Sequence, residues 1–88
     1  MSSSESLLQF PCDFPIKVVG VQSDDFEAQV VTIVRGHVPS LGEGAVRSRP
    51  SNAGKYLAVT ITVRATSQEQ LDAIYRSLSG WDRALMVL

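Results

Sequence analysis

The chain has 88 residues, of which 44% are hydrophobic and 19% charged, with a formal net charge of -1. That length holds one domain with a modest core, and the apolar content excludes a disordered chain. The near-neutral balance removes any global drive toward nucleic acid, the single Cys12 excludes an internal disulfide, and no run of about 20 apolar residues offers a membrane span.

Residues 1–6 are Ser-rich and read as a disordered tail, with 7–88 as a single domain. No basic stretch precedes an apolar run at the start, so the segment does not read as a secretory signal, and the expected location is cytoplasmic. Leu7, Leu8 and Phe10 are too apolar to stay in water and are expected to lie against the domain. A first strand spans 14–21. Ser23 then offers a helix N-cap, and Asp24, Asp25 and Glu27 place negative charge where the helix dipole favours it. Phe26, Val30, Ile33 and Val34 recur at helical spacing and form one buried stripe. Gly36 weakens the end of this helix and Pro39 stops it.

A loop over 39–44 leads to a second strand at 45–49. Residues 51–54 have turn chemistry. The third strand, 55–64, alternates strictly: Leu57, Val59, Ile61 and Val63 face one way, while Tyr56, Ala58, Thr60, Thr62 and Arg64 face the other. Such a strand belongs to a sheet covered by helices on one side and open on the other. Thr66 and Glu69 form a capping box opening a second helix, whose inner stripe is Leu71, Ile74, Tyr75 and Leu78. Gly80 ends it, and 81–88 supplies a fourth strand.

The order β-α-β-β-α-β predicts an α+β, ferredoxin-like sandwich: an antiparallel sheet of order 4-1-3-2 with both helices on one face. Strands 2 and 4 are its edges. Arg47, Arg49 and Pro50 protect the second strand from unwanted pairing. From Ala84 onward the fourth carries neither charge nor proline. Its edge is therefore expected to be covered, by residues 6–12 or by a second copy of the chain in a homodimer.

Nothing in the residues declares catalysis. Cys12 and His37 are the only thiol and imidazole, and each has a structural reading, as a small half-buried thiol and as a partner of helix-end carbonyls. Asp24 and Asp25 diverge by about 100° on a helix and make a poor acid–base pair. No metal-ligand cluster and no cofactor motif is present, so neither a metal nor a cofactor is expected. Arg47 and Arg49 project from one side of the second strand, with Lys55 and Tyr56 entering the paired strand. These four are the candidate binding residues, suited to a phosphate, a carboxylate or an acidic partner. RNA recognition is disfavoured because Tyr56 stands alone where further aromatics would be needed.

Taken together, Phe10-Pro11 with Phe14, Lys17-Val18 with Gly20, Val30-Val31 followed by His37 and Pro39, Arg49-Pro50-Ser51 with Gly54-Lys55-Tyr56, the run from Val59 to Thr62, and Met86-Val87-Leu88 resemble the small proteobacterial YbeD-like family. Its members are often labelled lipoate regulatory protein. The resemblance implies an alpha-beta plait like that of the ACT regulatory domains, and it implies no catalytic residues. ACT sites for amino acids use a Gly-containing loop after the first strand; Gly20 is present here without the usual Pro-Gly, which speaks against amino-acid binding. The expectation is a non-enzymatic regulatory or adaptor domain acting on a partner protein or a small acidic ligand. The alternative is a small enzyme or carrier using Cys12 or the basic hairpin.

Overall fold

The computed structural model describes residues 9–51 and 53–88. The expected tail over 1–6, together with Leu7 and Leu8, lies outside the described residues. The elements run β1 (Cys12–Val21), α1 (Phe26–Arg35), a short 3-10 turn (Glu43–Ala45), β2 (Val46–Pro50), β3 (Tyr56–Ala65), α2 (Gln68–Ser79) and β4 (Met86–Val87). The sheet order is β2-β3-β1-β4, all antiparallel, which is the expected 4-1-3-2 arrangement.

Period-two alternation builds the sheet side of the core. Ile16 and Val18 of β1 and Leu57, Val59, Ile61, Val63 and Ala65 of β3 are buried beneath the helices. Period-3.6 spacing builds the helical side, with Phe26, Val30 and Val34 from α1 and Leu71, Ile74 and Leu78 from α2. Complete burial of each large aliphatic or aromatic side chain contributes about 1.5–3 kcal/mol. Val38, Leu41 and the partly buried Phe10 close the margins.

Pro15 sits inside a central strand without breaking it. Lys17 exchanges two backbone hydrogen bonds with Leu88, and the Val19 carbonyl accepts from Leu85. Pro15 shares their phase, so its missing N–H points to the β4 side, beyond the residues that β4 pairs.

Three local expectations are corrected. First, Ser23 does not cap α1. Asp25 occupies the cap position and makes no side-chain cap bond. Its carboxylate instead accepts from the Arg83 guanidinium at 3.2 and 3.3 Å, from Ser23 Oγ at 2.9 Å and from Gln29 Nε2 at 2.5 Å. Second, the capping box of α2 is shifted by one residue. Ser67 Oγ accepts from the Gln70 N–H at 3.1 Å, and Gln70 Oε1 accepts in return from the Thr66 N–H at 2.8 Å. Third, Trp81 does not begin a strand. Its ring stacks on Phe26 with centroids 5.3 Å apart, and the Ala84 N–H donates back to the Trp81 carbonyl. Arg83 explains the delay: it packs 5.7 Å from the Phe26 centroid and 5.6 Å from that of Trp81 while holding Asp25 and Ser23. The chain extends only after this residue is placed.

The same cluster accounts for Gly20. A Cβ there would lie 2.3 Å from the Phe26 ring and 2.7 Å from the Arg83 carbonyl oxygen. Gly54, with φ of +70°, serves the β2–β3 turn in the left-handed region that side chains avoid.

Candidate functional site

Both helices cover one face of the sheet, so the other presents alternate residues of every strand. Register places them in rows. One row across the sheet is Leu88, Lys17, Thr60 and Arg47. The next is Met86, Val19, Ala58 and Arg49, and beyond it Val21 pairs with Tyr56. Ser48, between the two arginines, turns the other way and donates to the Glu27 carboxylate of α1. That bond holds β2 against the helical layer and leaves Arg47 and Arg49 together on the open side.

Lys17, Arg47, Arg49, Ala58 and Thr60 surround a shallow depression of about 590 Å³. Among the described residues none of these three cations is in an ion pair. Arg64, farther along the same face, is paired with Asp13 at 3.3 Å. The carboxylates cluster elsewhere: Asp24, Asp25, Glu27, Glu69 and Asp72 lie on the two helices and the turn before α1. The sheet face thus carries Lys17, Arg47, Arg49 and Arg64 against Asp13, while the helices and the turn before α1 carry these carboxylates together with Arg35 and Arg76, and Arg83 is ion-paired to Asp25.

Of the four expected binding residues, Arg47 and Arg49 come together as anticipated. Tyr56 adjoins them in a smaller hollow shared with Val19, Arg49 and Ala58. Lys55 stands apart in the turn, its Nζ 5.6 Å from the Tyr56 ring centroid. Lys17 was absent from that set and is the third member of the depression. Its signal was present in the alternation of β1, which puts Lys17 opposite to Ile16 and Val18.

A model for a family described as a protein of unknown function, DUF493, matches residues 5–88. The chain belongs to the DUF493 family. A UPF0250 protein of Janthinobacterium sp. is 48% identical over 88 residues, covering all of this chain and 97% of that one. Another UPF0250 protein, of Paraburkholderia phytofirmans, is 48% identical over 87 residues, covering 99% and 98%. The solution structure of protein HP0495 from H. pylori superposes with a TM-score of 0.74 at 12% identity, over 92% of this chain and 85% of that one. At that identity the likeness is one of fold. The resemblance to YbeD-like proteins is consistent with DUF493 membership.

In this DUF493 chain the described thiol and imidazole lie apart. His37 Nε2 is hydrogen-bonded to Ser77 Oγ at 2.9 Å, linking the end of α1 to α2. Cys12 is half-buried at the start of β1, and no hydrogen bond joins the two among the described residues. Among those residues no group of three or more His, Cys, Asp or Glu side chains is placed to hold a metal ion, and no helix is long and apolar enough to cross a membrane. Among the described residues the carboxylate with a large shift belongs to the fold: the Arg83 guanidinium, then Ser23, hold Asp25 down at about 2. Burial pushes the Tyr75 phenol up, and its hydroxyl donates to the Leu88 carbonyl at 3.2 Å, tying α2 to the last strand.

Proposed function

We propose that this chain is a non-enzymatic adaptor domain that docks an acidic region of a partner protein on the open face of its sheet. The observation that carries the reading is the convergence of Lys17, Arg47 and Arg49, without ion-pair partners among the described residues, around one depression. Cations left without carboxylates on a surface whose acids have gathered elsewhere favour an anionic partner and speed its encounter. The face also carries exposed apolar side chains, which a partner protein can cover.

The test is a titration of the ¹⁵N-labelled full chain with poly-L-glutamate, followed by amide shifts. Perturbations should gather at Lys17, Arg47, Arg49 and Thr60 and disappear in an Arg47→Glu/Arg49→Glu variant whose melting temperature is unchanged. Shifts that are scattered, or that survive the double charge reversal, would remove the basis of the proposal.

A further inference from the structure

We infer that residues 85–88 are a detachable strap. They leave the edge of β1 as a unit while Trp81 and Arg83 stay docked, and their departure bares that edge to strand addition.

The core is complete without them. Among the described residues, every large side chain that is fully buried comes from β1, α1, β3 or α2, and residues 81–88 contribute none. Within the strap Leu85 is 58%, Met86 51% and Leu88 59% exposed, and Val87 alone packs against the core, half-buried. β3 pairs with β1 along its whole length, from Cys12 to Val21, whereas β4 pairs with Val18 and Val19. Segments with few buried apolar contacts and exposed hydrogen bonds open before the rest of a domain does.

The strap is held mainly through its backbone. The Leu85 N–H donates to the Val19 carbonyl and the Leu88 N–H to the Lys17 carbonyl, both at 2.8 Å, and the Lys17 N–H donates to the Leu88 carbonyl at 3.0 Å. The Tyr75 hydroxyl donates to that same carbonyl from α2 at 3.2 Å. The residues just before the strap are held by other means. Trp81 stacks on Phe26, Arg83 packs on both rings and binds Asp25 and Ser23, and Ala84 closes a turn back to Trp81. None of these contacts uses the β4 ladder, so the chain can part from β1 after Ala84 without disturbing them.

Opening has a defined result. Along β1 the backbone groups point alternately to one neighbouring strand and the other. Lys17 and Val19 face β4, while Val18 between them faces β3, where Val59 is its partner. A departed strap frees the Lys17 N–H and carbonyl and the Val19 carbonyl, and leaves Val18 bonded. The freed stretch is short, because Pro15 in the same phase has no N–H to offer. It suits main-chain pairing with an extended segment of a few residues. Opening also takes Leu88 from beside Lys17, so the strap and the basic depression have that lysine in common.

The experiment is native-state hydrogen exchange on the ¹⁵N-labelled full chain. The Lys17, Leu85 and Leu88 amides should share one protection factor, at least about 100-fold below that of Val18, which is next to Lys17 in the same strand. Tyr75→Phe should lower the shared value by a further factor of about five and leave Val18 unchanged. Leu88→Pro removes a strap bond outright. It should bring the Lys17 amide close to unprotected exchange, while Val18 protection and Trp81 emission keep their wild-type values. Equal protection at Lys17 and Val18 would mean that β4 leaves only when the whole domain unfolds, and would overturn the inference. So would a parallel fall at Val18 in Tyr75→Phe, or a shifted Trp81 emission in Leu88→Pro, which would show strap and anchor leaving together.

Discussion

Gly20→Ala is the sharpest single test of how the β1–α1 corner is built. The added Cβ would stand 2.3 and 2.5 Å from two carbons of the Phe26 ring and 2.7 Å from the Arg83 carbonyl oxygen. Carbon atoms rest about 3.5–4.0 Å apart, so the ring must retreat by more than about 1 Å. It has nowhere to go cheaply, because Phe26 is fully buried and its ring stacks on Trp81. Overpacking of this kind costs about 1–3 kcal/mol. For a domain of this size each kcal/mol lowers the melting temperature by about 4–8 °C. The expected loss is therefore about 4–24 °C, read by circular dichroism, together with a shifted emission maximum of Trp81. Phe26→Leu on its own should destabilise by opening space, and combined with Gly20→Ala it should lose less than the two separate losses added together. A Gly20→Ala melting temperature within about 2 °C of wild type, with unchanged Trp81 emission, would refute the close-approach account.

Leu71→Ala should cost about 2–5 kcal/mol through the cavity left under α2, measured as a lower urea midpoint; an unchanged midpoint would place the core elsewhere. Ser67→Ala should cost about 1 kcal/mol by orphaning the Gln70 N–H, whereas Thr66→Val should cost less, a contrast that separates the observed cap from the expected one. The Asp25 carboxyl sits at about 2 instead of 3.8, held by Arg83. Because its folded value is the lower one, its stabilisation is complete above about pH 4 and disappears as pH falls through about 2. Melting temperatures between those limits should fall more steeply for wild type than for Asp25→Asn, though the effect is modest because the group is exposed; parallel curves would remove Asp25 from the acid response.

Much of the fold was legible because its strongest signals are periodic. The alternation from Tyr56 to Arg64 placed the core and open faces of β3 correctly, and the spacing of Phe26, Val30, Ile33 and Val34 placed the inner stripe of α1, of which Ile33 is only half-buried. What was misread depends on partners distant in the chain. Asp25 looks like a first-turn acid until Arg83, 58 residues away, takes its carboxylate. Residues 81–84 look extended until Trp81 and Arg83 are seen packed on Phe26. The α2 cap was a local ambiguity, since Thr66 with Glu69 and Ser67 with Gln70 both satisfy the same spacing. Lys17 was missed for a different reason. Its face was readable from β1, but its alignment with Arg47 through Thr60 is a matter of register between three strands.

The net charge alone does not describe how charge is distributed over the molecule. A value of -1 averages two faces that a ligand never meets together. At physiological salt the Debye length is about 8 Å, close to the thickness of one packed layer of structure. A partner approaching the sheet therefore feels Lys17, Arg47 and Arg49 far more strongly than the carboxylates of α1 and α2 on the opposite side. The arrangement also bears on the fold itself. β2 is an edge strand, and Arg47 and Arg49 discourage its pairing with another chain while Ser48 anchors it to Glu27. The β4 edge is short: its backbone bonds to β1 run only from Leu85 to Leu88, and a strand that short is a weak template. The two edges are thus protected by different means, charge on one and brevity on the other. Only the means used at β2 also projects unpaired cations onto the open face, which is why the candidate site lies toward β2 and its apolar margin toward β4.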